Sequence, residues 1–191
     1  ADGRTAIVHI PEGTPAYKIA VFHGDNQHGA GAVKDVTVPG VGIEPELSKG
    51  SQSSSAPWAS KKGFDGLIAD MKTQAVADGI PADVFDGLPT VAVDYSGGLA
   101  PRDAVADGAK IDVVLDFDGA YKNAGQTEKF VQAFKQNPKM SLVSVYTPGG
   151  YPTEHGALIQ AFKDAGLGNR LILSAPGPND VIKPGDIRIF E

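Results

Sequence analysis

A chain of 191 residues, 41% of them apolar, is long enough to bury one core, and its 23 acidic against 17 basic residues, without a Lys/Arg cluster, exclude the electrostatic footprint of a phosphate-backbone binder. No stretch reaches the roughly 18 to 20 apolar residues of a membrane-spanning helix, and the absence of cysteine removes disulfides, thiolate nucleophiles and Cys-ligated zinc. Neither nucleic acid nor a membrane is expected as a partner. The chain starts at Ala1 in place of Met, which reads as a processed, extracytoplasmic or secreted protein, with a trimmed sequence as the competing reading.

In chain order, TAIVHI (5–10) and YKIAVFHG (17–24) read as strands, and KDVTVPGVGI (34–43) holds a third. Between them, HGDNQHGAG (23–31) sets two imidazoles and a carboxylate among glycines, so His23, Asp25 and His28 are candidate ligands for a divalent cation. The spacing is no strong zinc signature, and a plain polar loop competes with that reading. Residues 48–60, rich in small polar side chains, read as a flexible loop. From Phe64 to Asp78, Leu67, Ile68, Met71, Ala75 and Val76 recur at helical spacing.

The pattern becomes regular from Thr90. TVAVDYSGG, IDVVLDFDG, MSLVSVYT and RLILSAPG are apolar runs of strand length ending in turn-forming residues. Helices are expected at Thr127–Asn137 (Phe130, Val131, Phe134) and Thr153–Ala165 (Leu158, Ile159, Phe162), the second with Thr153 as N-cap and Gly166 as its stop. Strands alternating with helices predict an α/β domain spanning 1–191: a mostly parallel sheet with helices on both faces, open in preference to a closed barrel.

Chemistry is expected where such strands end. Side chains alternate along a strand, so Asp116 and Asp118 share a face at the end of a buried run, and Asp94 joins them if its strand is the neighbour. Close carboxylates would raise a pKa or recruit a cation; the competing reading is that one of them caps the following turn. Tyr121, Tyr146 and Tyr151 offer aromatic faces suited to a sugar ring, or plain turn packing. DYSGG (94–98) has the outline of a nucleophile elbow, but Asp94 stands where that motif has glycine, which counts against a serine hydrolase. No Walker loop and no dinucleotide fingerprint is present.

DFDGAY, the helix after it and SLVSVYTPGG resemble the central segment of family 18 glycosidases, the chitinases and endo-β-N-acetylglucosaminidases. The resemblance implies that Asp116 and Asp118 match the acids preceding the catalytic Glu, whose own place is taken by Ala120. VVLDFDG also resembles the first motif of haloacid-dehalogenase-type phosphatases, which would make Asp116 the nucleophile and Asp118 the acid/base. With the glycosidase's acid missing, the expected function is binding of a polar small molecule or glycan with little or no catalysis. The alternatives are a carboxylate-dependent hydrolase, glycosidase or metal-assisted phosphatase, and a structural or assembly subunit.

Overall fold

A computed structural model describes residues 6–23, 39–45, 56–95, 100–118, 124–147 and 152–191. Among the described residues, eight strands, β1 (Ala6–His9), β2 (Tyr17–His23), β3 (Gly40–Pro45), β4 (Thr90–Tyr95), β5 (Val113–Phe117), β6 (Ser141–Val145), β7 (Leu171–Ile172) and β8 (Ile187–Phe190), form one sheet in the order β1-β3-β2-β4-β5-β6-β8-β7. Only β1 runs antiparallel to its neighbour, β3; every other pairing is parallel. The sheet is open, with β1 and β7 at its edges.

Among the described residues five helices, α1 (Lys61–Ala77), α2 (Ala82–Gly87), α3 (Ala100–Ala106), α4 (Ala124–Gln136) and α5 (Pro152–Asp164), lie between the parallel strands in sequence. The Ser60 hydroxyl accepts from the Gly63 backbone N–H at 3.1 Å and so starts α1, whose Phe64, Leu67, Met71 and Ala75 turn inward at helical spacing. Gly63 has to be glycine, because a side chain there would collide with the Pro57 carbonyl. Gly166, at φ +79°, stops α5 as its position predicts, while Thr153 lies inside the first turn of α5 and not ahead of it.

Register divides the sheet residues between two faces. Ala20, Ala92, Val114, Leu142 and Ile187 lie in one row across five strands, and they pack with Phe64, Phe85, Val105, Phe130, Phe134 and Phe162 from the helices. Burying that many aromatic and aliphatic side chains, at about 1.5–3 kcal/mol each, is the main force holding helices to sheet. The other face carries Ile19, Val21, Val91 and Val93, with Tyr95 stacked on Phe117 at 5.0 Å. All five described helices belong to the first face.

The expected strands are present, with differences at the C-terminal end. RLILSAPG supplies only the two-residue β7, and the strand beside β6 is β8, whose IRIF was not foreseen. Two short helices, α2 and α3, were also unforeseen. In the expected loop 48–60, residues 56–58 form a 3-10 turn that buries Trp58.

Candidate active site

The strand order reverses between β2 and β4: the chain leaving β2 returns as β3 on one side, whereas β4 leads through α3 to β5 on the other. Open α/β sheets bind ligands outside the carboxyl ends of the strands at such a switch point. Two segments begin there, since His23 ends β2 in register with Tyr95 at the end of β4. The loop from His23–Gly24 follows one strand, and Ser96 follows the other, four residues ahead of α3.

Directly below the end of β4 runs a row of polar residues. Asp94, Asp116 and Ser144 are register partners on β4, β5 and β6, on the face that the helices cover. His155, in the first turn of α5, closes the row: its Nε2 lies 3.1 Å from Ser144 Oγ, and Ser144 Oγ donates to Asp116 Oδ2 at 2.8 Å. One hydroxyl has one proton, so with that proton given to Asp116 the imidazole must be the donor at Nε2. His155 Nε2 is 4.0 Å from Asp116 itself, too long for a hydrogen bond, which makes Ser144 the bridge. Tyr146 stacks on the imidazole with ring centroids 4.5 Å apart.

The row is almost dry: Asp94 and Asp116 are 4% and 3% exposed, and Ser144 and His155 are 0% exposed. Asp94 Oδ1 has no hydrogen-bond partner. Burial, reinforced by the neighbouring Asp116 carboxyl, pushes the Asp94 carboxyl well above the usual carboxylate range; the Tyr95 backbone N–H and the Arg102 guanidinium oppose this with less effect. Two carboxyls side by side in such a place cannot both be ionised at ordinary cost.

Asp118 stands apart from this row. It takes φ +59°, a conformation aspartate tolerates better than most residues, and its carboxylate accepts from Thr147 N at 2.7 Å and from Thr147 Oγ1 at 3.2 Å. Its own N–H donates to the Val145 carbonyl, so Asp118 fastens the end of β5 to the end of β6. Of the sequence candidates, the structure brings Asp94 and Asp116 together, engages Asp118 with Thr147 and packs Tyr146 over His155. Tyr121, Tyr151, Asp25 and His28 lie outside the described residues. Among the described residues no three His, Asp or Glu side chains are grouped to hold a metal ion.

No family model and no curated protein matches the chain. Among solved structures, it is similar to Zea mays acyl-protein thioesterase 2, at 12% identity and a TM-score of 0.54, over 98% of this chain and 89% of that one. A lipase-esterase related protein from Clostridium acetobutylicum matches at 11% identity and TM-score 0.48, over 98% and 90%, and a lipase in its open form at 17% and 0.37, over 84% and 52%. The chain shares with the thioesterase the fold of an open, mostly parallel α/β sheet.

This corrects the resemblance to family 18 glycosidases, which fold as closed barrels. The apolar run ending in Asp-x-Asp that suggested them is common to buried parallel strands in general. The expectation of a non-catalytic glycan-binding edge is corrected with it, since the neighbour of similar fold is an acyl-protein thioesterase and the alternative, hydrolase reading agrees better with that finding.

DYSGG begins on β4, and Ser96 lies in sequence between β4 and α3. Asp94 stands where the nucleophile-elbow motif has glycine. The structure accommodates that aspartate by turning it into the helix-covered face, where α3 buries the small residues Ala100 and Ala104.

Proposed function

We propose that the chain is a serine-dependent acyl hydrolase, with Ser96 as nucleophile and an ester or thioester as substrate. The observation that carries this reading is the position of Ser96: it follows the strand at the topological switch point and precedes a helix, in a sheet of α/β-hydrolase order. The fold neighbours that cleave acyl bonds support the substrate class.

In this reading the Ser96 hydroxyl adds to the acyl carbon as its proton passes to a base, and the alcohol or thiol leaves with a proton. Water then cleaves the acyl-enzyme by the same path. The fold's usual oxyanion donors are the backbone N–H after the nucleophile and one from the loop that follows the strand before the switch. Here those are Gly97 and the loop opening at Gly24. His155 is the one histidine of four that follows Ser96 in the chain, but its Nε2 is held by Ser144 at 3.1 Å inside the dry row, so the base is not assigned to it.

The carboxylate-dependent version of a hydrolase is less well supported. Asp94 and Asp116 are buried below the strand ends, and both oxygens of Asp118 are engaged by Thr147. Steady-state hydrolysis of p-nitrophenyl acetate and a matching thioester tests the proposal. Ser96→Ala is expected to lower kcat/KM by about 10³-fold or more. Hydrolysis by purified protein that survives Ser96→Ala undiminished would overturn it.

A further inference from the structure

The geometry points to the groove between α4 and α5 as the docking site of a basic amphipathic helix from a partner protein. The helix lies with its apolar ridge on the groove floor and its Lys and Arg side chains on three carboxylates of the rim. Docking there needs no contribution from Ser96.

Helices α4 and α5 meet through aromatic rings. Phe162 of α5 packs edge-on against Phe134 at 5.3 Å and Phe130 at 6.4 Å between ring centroids, and all three are fully buried. Outside that contact the side chains of α5 are small. Leu158 joins Phe162 in the core, which leaves Ala157, Ala161 and Ala165, four residues apart, along one wall of the groove. Alanine is too short to fill the space toward α4, whose Val131 is buried in the floor. The groove that results holds about 620 Å³.

From Glu154 to Ala165 this wall rises about 16 Å, roughly three helical turns. Alanine walls let another helix come close and set its ridge between them. An extended peptide gains less here, because both walls are helices that spend their backbone hydrogen bonds internally and offer no strand edge to pair with. A helix brings its own backbone hydrogen bonds and needs only an apolar stripe at i, i+3, i+4 and i+7.

The rim sets the sign of the partner. Glu154 and Asp164 stand near the two ends of the α5 wall and Glu128 on α4, and no Lys, Arg or His lines the groove. Among the described residues none of these three carboxylates is paired with a cation; Asp164 accepts only from the neutral Gln160 amide, at 2.7 Å. The groove on the other side of α4 differs. It sets Lys110 and Lys129 beside Asp112 and Glu128, so its charges cancel. Exposed ion pairs are individually weak, so the carboxylates steer and orient the partner while the apolar ridge supplies the affinity.

Fluorescence anisotropy of the full chain at low salt tests the site with a labelled, stapled helical peptide. The peptide carries Leu and Ala at i, i+3, i+4 and i+7 and Lys at the flanking positions. Saturable binding of one peptide per chain is expected, with a scrambled peptide of the same composition weaker by about tenfold or more. Glu128→Gln/Glu154→Gln/Asp164→Asn is expected to weaken binding about tenfold, and Ala157→Leu/Ala161→Leu, which fills the groove without changing charge, by as much or more. No saturable binding would overturn the proposal. So would equal affinity for the scrambled peptide, which is plain attraction of a polycation to an acidic protein, or affinity unchanged in Ala157→Leu/Ala161→Leu. Should that double variant fail to fold, Ala157→Leu alone, at an exposed position, carries the test. Ser96→Ala is expected to bind the peptide as the native chain does, so docking and hydrolysis are read separately.

Discussion

Asp116 and Asp118 stand two residues apart, with the same side-chain chemistry, but Asp116 is on β5 and Asp118 is just past its end in a left-handed conformation that takes it off the strand face. Asp116 is sealed among Asp94, Ser144 and His155, whereas Asp118 is half-buried and serves as a clasp on Thr147. The difference follows from depth. A residue one pleat below the strand end lies under the helix layer, where each polar atom must find a partner inside the protein. A residue at the very end meets the next strand's turn and can exchange its partners for water.

Breaking each residue should expose that difference in depth. Asp116→Ala leaves Ser144 without its acceptor in a dry site and is expected to cost about 3 kcal/mol, within the range for disrupting a buried network, read from denaturant unfolding. Ser144→Ala, which removes one hydrogen bond to a charged group and breaks the link to His155, is expected to cost about 2 kcal/mol in the same assay. Asp118→Ala should cost only about 1 kcal/mol for its lost clasp, and Asp118→Gly less still, because glycine relieves the positive φ. An Asp118→Ala cost equal to that of Asp116→Ala would erase the distinction.

The pH dependence of stability sharpens the comparison further. Asp94 binds its proton more tightly in the folded state than at the ordinary value of 3.8, so above that value the native state holds more protons than the unfolded chain. Stability from this group is greatest at low pH and declines as pH rises from near 3.8 toward the raised folded titration. Thermal unfolding across pH should show this decline in the native protein and a flatter curve in Asp94→Asn. Asp118→Asn should leave that decline in place.

Much of the fold was legible because the strands from β4 to β6 are near-continuous apolar runs and α1, α4 and α5 have clear inward stripes. IRIF was not, since Arg188 interrupts its apolar pattern; the structure holds one nitrogen of that guanidinium, Nη1, on the Ser174 carbonyl and Asp180. Helix α3 is only seven residues long and carries Pro101, tolerated there because it falls in the first turn. The pairing of Asp94 with Asp116 followed from placing consecutive strands side by side. His155 could not be found that way: it lies on a helix eleven residues beyond Ser144, and only the packing of α5 on the sheet brings the two together. Ser96 was visible in DYSGG, in the stretch of chain between β4 and α3.

Treating the folded protein with a fluorophosphonate and mapping the adduct by peptide mass spectrometry tests the central claim most directly. The account predicts a single stoichiometric adduct on Ser96, with hydrolysis lost in proportion to labelling. Full hydrolytic activity in protein that carries no adduct, or an inactivating adduct on another residue, would contradict it.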